Sequence, residues 1–219
     1  MKFTVIIVLF ALSFFYSPKK CNAQVLDTIE YSLKQKPKFF LNLNTFNSVV
    51  SNEMVNFLGF KTGLNYNKRL KFGVGYYVMT SKKVVSPISV TNDSLQYTTN
   101  GELRLNFISL SAEYIYYISY PWQFSFTPLQ FSLGKGHYNY ITEPDKIHTK
   151  TKGQSIILYE PNITGQYSVF KWFGVAVSVG YRVKVYSSKE LKEDLSAPTF
   201  AIGIRVFVDE LYKKPSQKK

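Results

Sequence analysis

The residues able to do chemistry in this chain are few, and they recur at strand spacing. Glu113 and Glu160 sit in alternating, largely apolar stretches, as do Lys61, Lys71, Arg104, Arg182, Lys184 and Arg205. Brought onto one enclosed surface with Gln123, Gln130, Asn162 and Gln166, they would form an ion-pair and hydrogen-bond network, because buried charges need partners. Six basic groups against two acids would also suit a narrow passage that prefers anions.

Catalysis finds little support in the same residues. The two histidines are His137 and His148, and no serine pattern adjoins His148 in Ile147-His148-Thr149-Lys150. An activated nucleophile needs a base within reach and a group to orient it. Two histidines alone make a poor metal site. Gly73-Val74-Gly75 and Gly134-Lys135-Gly136 lack the spacing of a phosphate or dinucleotide loop. No catalytic residue, metal ligand or cofactor is expected.

The charged side chains are carried by segments of period two. From Phe173 to Tyr186, Phe173, Val175, Val177, Val179, Tyr181, Val183 and Val185 alternate with Gly174, Ala176, Ser178, Gly180, Arg182, Lys184 and Tyr186. A strand places these two sets on opposite faces. The same alternation predicts strands near Lys38 to Asn47, Leu58 to Tyr66, Leu70 to Val78, Leu103 to Ile118, Phe124 to Leu133, Ser155 to Tyr167 and Phe200 to Val208. The apolar phase slips between Phe107 and Leu110, which predicts a β-bulge near Ile108, and Pro128 demands a second one.

Residues 1–23 look like a secretory signal: Lys2, an apolar run from Val5 to Phe15, and the small residues Cys21 and Ala23 before Gln24. Cys21 follows Lys19-Lys20, which argues against lipidation, and its removal leaves no cysteine. Removing three lysines with the signal takes the formal charge from +13 to +10. So basic a protein could meet nucleic acid, anionic lipid or lipopolysaccharide, and export argues against nucleic acid. No later segment is apolar for long enough to span as a helix, so membrane insertion would require a closed sheet. The greasy face then meets lipid.

Connections give the topology. Tight turns are expected near Asn67, Ser119 and Phe170, alternating with polar loops at Ser48 to Asn56, Thr80 to Gly101, Ile141 to Gly153 and Ser187 to Ser196. Tyr66, Tyr114, Tyr116, Trp122, Phe124, Tyr167, Trp172 and Phe173 gather beside the short turns, where a periplasmic aromatic girdle would lie. In this pattern and topology, from roughly Lys38 to Asp209, the chain resembles the small OmpA/OmpX-type outer-membrane barrels of Gram-negative bacteria. It departs in its ending, where Glu210 to Lys219 follow the last strand.

The reading is an all-β, eight-stranded antiparallel up-and-down transmembrane β-barrel at residues 38–209. A cleaved signal at 1–23 and a periplasmic lead-in at 24–37 precede it, and a basic periplasmic tail at 210–219 follows. The expected role is structural or surface-interacting, without catalysis, in the cell outer membrane. Expected partners are outer-membrane lipid, lipopolysaccharide and an extracellular partner reached through the long loops, with the protein a monomer. Loop lysines Lys82, Lys83, Lys146, Lys150, Lys152 and Lys189 are candidates for lipopolysaccharide phosphates. Two alternatives stay open: a narrow anion-preferring, porin-like channel, and a soluble periplasmic lipid-binding barrel in which the faces invert.

Overall fold

The computed structural model describes residues 19–81, 85–92, 95–142, 147–191 and 193–207. Most of the expected signal, the C-terminal tail, and Lys82, Lys83 and Lys146 lie outside the described residues. Helix α1 (Lys19–Leu33) runs across the expected cleavage position without a break and stops ahead of Pro37, which cannot continue it. Eleven strands follow: β1 (Lys38–Val50), β2 (Glu53–Tyr66), β3 (Leu70–Met79), β4 (Val85–Asn92), β5 (Leu95–Ser119), β6 (Trp122–Thr142), β7 (Ile147–Lys150), β8 (Gln154–Tyr159), β9 (Asn162–Phe170), β10 (Phe173–Ser187) and β11 (Ala197–Val206).

All strand pairings are antiparallel, and the sheet closes. β1 pairs with β2 on one side and with β11 on the other, from Leu41↔Val206 to Ser48↔Thr199. Around the ring the order is β1, β2, β3, β5, β6, then β8 with β9, then β10 and β11. β8 and β9 are one wall strand interrupted at Glu160-Pro161, since both lie between β6 and β10. The wall therefore has eight strands. β4 and β7 stand outside it, each folded back on the upper end of β5 or β6.

The long loops differ from expectation in two ways. Two of them carry hairpins, β4–β5 and β6–β7. The segment expected as a polar loop at Ser48 to Asn56 is instead a tight turn, with Ser51 at φ 47° and Asn52 at φ 68°. Consecutive left-handed residues make the hairpin turn whose twist matches its strands. Asn67 and Lys68 do the same at the opposite end, at φ 49° and 56°.

The bulge lies at Pro128 and not at Ile108. On β5 the register runs unbroken from Glu102↔Asn139 to Ala112↔Leu129, and then Tyr114 meets Phe126, so β6 carries an extra residue. The same extra residue appears on its other side, where Phe131 faces Tyr159 and Thr127 faces Asn162. The bulge removes proline's missing donor from the ladder. No slip occurs near Ile108 because Leu103, Leu105 and Phe107 point inward, while Ile108 and Leu110 point outward in continuous alternation.

The two faces of the wall divide by chemistry. Outward-pointing Leu43, Leu58, Phe60, Val74, Leu110, Leu133, Val177 and Ile202 are exposed. Inward positions are polar in the lower half, next to the short turns, and apolar in the upper half. There Phe46, Phe57, Tyr77 and Phe107 pack with Val50, Val55, Met79, Leu103, Leu105, Ile156 and Leu158. Phe46 stacks on Phe57 at 4.6 Å between ring centroids, and Tyr77 on Phe107 at 5.5 Å.

Glycine makes room for this filling. A Cβ on Gly59 would strike the Tyr77 ring and lie 2.6 Å from the Tyr76 carbonyl oxygen, and one on Gly75 would lie 2.8 Å from the opposite side of the same ring. Gly59→Ala is therefore expected to lower unfolding stability by about 1–3 kcal/mol, the usual range for overpacking. Urea unfolding in detergent micelles measures it; no change in the midpoint would mean that Tyr77 is not held between these glycines.

Candidate functional site

The lower interior is built from register. Lys71 and Glu113 are direct partners across β3 and β5, both inward-facing, and their side chains pair at 3.3 Å. Ser125 Oγ donates to the same Glu113 oxygen at 2.8 Å. The Lys71 ammonium also lies 5.9 Å from the centre of the Phe40 ring. Both charged side chains are almost wholly buried.

A second centre lies above it. Glu160 follows β8 directly, in the break before β9, and lies opposite Arg182 between the pairs Val183↔Tyr159 and Gly180↔Asn162. Arg182 Nε donates to Glu160 Oε1 at 2.7 Å, Ser132 Oγ donates to Oε2 at 2.6 Å, and Gln130 Nε2 reaches the same oxygen at 3.5 Å. The Arg182 guanidinium, 0% exposed, sits 4.8–5.6 Å from the centres of Phe57, Phe46 and Phe107. Ring faces supply part of the stabilisation that water would give a cation. Arg182 thus joins the polar half of the interior to the aromatic half.

Lys61 and Arg205 are also inside and buried. Arg205 Nη1 donates to the amide oxygen of Asn42. Arg104 and Lys184 are not with them. Arg104 follows the outward parity of β5, 3.2 Å from Glu102 and bonded to the Ser81 carbonyl. Lys184 is at the upper rim, where its Nζ donates to the Glu193 carbonyl at 3.0 Å. The rest of the inward polar set, Gln123, Gln130, Asn162 and Gln166, lies on the same lower wall. His137 and His148 lie at the upper end of the β6–β7 side, away from both carboxylates. Among the described residues, no group of three or more His, Cys, Asp or Glu side chains could hold a metal.

The described residues of the β10–β11 connection, the polar loop of Ser187 to Ser196, fold into the upper mouth and close it. Leu191 and Leu195 insert into the aromatic core, Tyr138 Oη donates to the buried Glu193 carboxylate, and Ser51 N donates to the Asp194 carbonyl at 3.2 Å. Gln154 donates to Glu190. The signal for this was present in the leucines at 191 and 195 amid charge, but alternation does not reveal an inserted loop. The inward aromatics Phe46, Phe57, Tyr77 and Phe107 were likewise not anticipated as lumen residues.

The described residues enclose a small cavity and a wider vestibule. A cavity of about 60 Å3 lies among Asn44, Lys61, Tyr77, Glu113, Glu160 and Arg205. Below it, a vestibule of about 440 Å3 opens at the short-turn end, lined by Lys38, Asn65, Lys68, Trp122, Gln123 and Lys171. The interior is thus a cul-de-sac, open below and filled above.

A closed antiparallel wall with no free edge, an apolar exterior, and aromatics Trp122, Tyr167, Trp172 and Phe173 clustered at one rim define an outer-membrane type of transmembrane β-barrel. The inverted, lipid-carrying arrangement is excluded by the outward valines of β10 and the charged lower interior. Among solved structures the fold is similar to Neisserial surface protein A, at 14% identity and a TM-score of 0.55, covering 77% of this chain and 96% of that one. It also matches Ail of Yersinia pestis, at 10% identity and a TM-score of 0.49, over 78% and 99% of the two chains. The N-terminal β-barrel domain of Pseudomonas aeruginosa OprF matches at 11% identity and a TM-score of 0.39, over 78% and 98%. No protein-family model matches the sequence, and no curated protein sequence does either.

Proposed function

We propose that this protein is a non-catalytic outer-membrane barrel whose role is structural and surface-interacting, with the β4–β5 and β6–β7 hairpins as its contact elements. The observation that carries this reading is the contrast between a filled upper lumen and strands that outrun the wall. β5 and β6 continue past their last mutual pair, Glu102↔Asn139, to build separate hairpins. A barrel of eight strands is barely wide enough for its own side chains, which disfavours a diffusion pore. Exposed Lys150 and Lys152 near the β7 hairpin are placed to meet lipopolysaccharide phosphates.

Export with removal of residues 1–23 belongs to the same reading, and N-terminal sequencing of the membrane-extracted protein checks it. The central experiment combines planar-bilayer recording with hairpin shortening. The purified barrel is expected to give no regular conductance steps. A variant with residues 85–101 replaced by a short turn should keep its heat-dependent gel mobility while losing reactivity toward surface-binding reagents on intact cells. Reproducible steps, or a shortened variant that no longer forms the barrel, would contradict the reading.

A further inference from the structure

The interior is not neutral by its own residues. Among the described residues, Lys61, Lys71, Arg182 and Arg205 are buried in the lower interior with two carboxylates, Glu113 and Glu160; the third buried carboxylate, Glu193, lies at the upper mouth and accepts from Tyr138. Both lower carboxylates are already engaged, Glu113 by Lys71 and Ser125, and Glu160 by Arg182 and Ser132. Lys61 and Arg205 feel Glu113 at longer range, but neither forms an ion pair with it. These two remaining cations flank Asn42, the register partner of both, on the strands either side of β1. Each lines the cavity of about 60 Å3. Arg205, 5% exposed, has an Nε–H with no hydrogen-bond acceptor.

Glu113 and Glu160 line the same cavity, but each already has its own cation in Lys71 and Arg182. Lys61 and Arg205 are therefore left in excess there, and a buried charge without a partner costs several kcal/mol even after relaxation. We infer that this cavity binds a small inorganic anion, of the size and charge of chloride, between the Lys61 ammonium and the Arg205 guanidinium. The volume admits one or two water-sized guests. Thr164, Ser178 and Thr199 also line the space. The vestibule below carries Lys38, Lys68 and Lys171, so the approach from the short-turn end has the same sign as the site. This reading concerns the closed interior and stands apart from the surface role of the hairpins.

The test uses the full mature barrel in detergent micelles, unfolded in sodium chloride or in sodium gluconate at equal ionic strength, gluconate being too large for the cavity. Chloride should raise the folded-to-unfolded ratio saturably, about tenfold when it is ten times its dissociation constant. Lys61→Met should remove that dependence and leave heat-dependent mobility intact. Crystals of the unaltered protein soaked in bromide should show an anomalous peak between Lys61 and Arg205. Identical unfolding in the two salts, or ordered water with no bromide peak there, overturns the inference. The bromide experiment decides the matter even if Lys61→Met does not fold.

Discussion

Arg182→Ala is expected to destabilise the barrel by about 3–5 kcal/mol, the cost of leaving one member of a buried ion pair uncompensated. The substitution removes the 2.7 Å bond to Glu160 and empties the space against which Phe46, Phe57 and Phe107 pack. Glu160 would keep Ser132 and Gln130 but lose its counter-charge. Glu160→Gln tests the other side and should be milder, because three rings continue to face the guanidinium. The double variant Arg182→Met with Glu160→Gln should recover much of the loss, since removing both charges also removes their desolvation. Urea unfolding in phospholipid micelles reads all three. An Arg182→Ala barrel within about 1 kcal/mol of the parent would refute the central role given to this pair.

The second large effect is on the outside. Val177 lies midway along β10, is 57% exposed and pairs with Ile202 on the neighbouring strand. Arginine there would face hydrocarbon at the bilayer midplane, which costs about 2–4 kcal/mol, falling to about 0–1 near the interface. Val185 occupies the same face near the top of the strand, past the end of the β10–β11 pairing. Val177→Arg should therefore cost more than Val185→Arg when unfolding is measured in lipid vesicles. Equal costs at the two depths would mean that this face does not contact acyl chains.

The lower half of the barrel was legible in the sequence because its two faces differ. Along β10 and β11, valine, isoleucine and phenylalanine alternate with glycine, alanine, serine and arginine, so parity alone places Arg182 and Arg205 inside. The upper half was less legible because both faces are apolar there. Leu103, Leu105 and Phe107 share a strand with outward Ile108 and Leu110, and an unbroken strand then looks like one that has slipped. Parity also placed Arg104 inside, wrongly, because its neighbours Leu103 and Leu105 face the interior and not lipid, and it did not say which inward charges meet. That required register: Lys71 lies across from Glu113, whereas Arg104, on the outward parity of β5, meets Glu102. The tight turn at Ser51-Asn52 escaped because serine is not a residue that usually marks left-handed backbone.

The inserted β10–β11 loop ties two stages of biogenesis together. Its Asp194 carbonyl bonds Ser51 at the top of the first hairpin, and its leucines complete a core drawn from strands early and late in the chain. The ring itself is joined by pairing the first wall strand with the last. Until that final hairpin arrives, the growing sheet has neither a seam to zip nor a stopper for its upper mouth. Sealing against solutes and completing the cylinder are thus a single act, and a half-built barrel would be open in both senses.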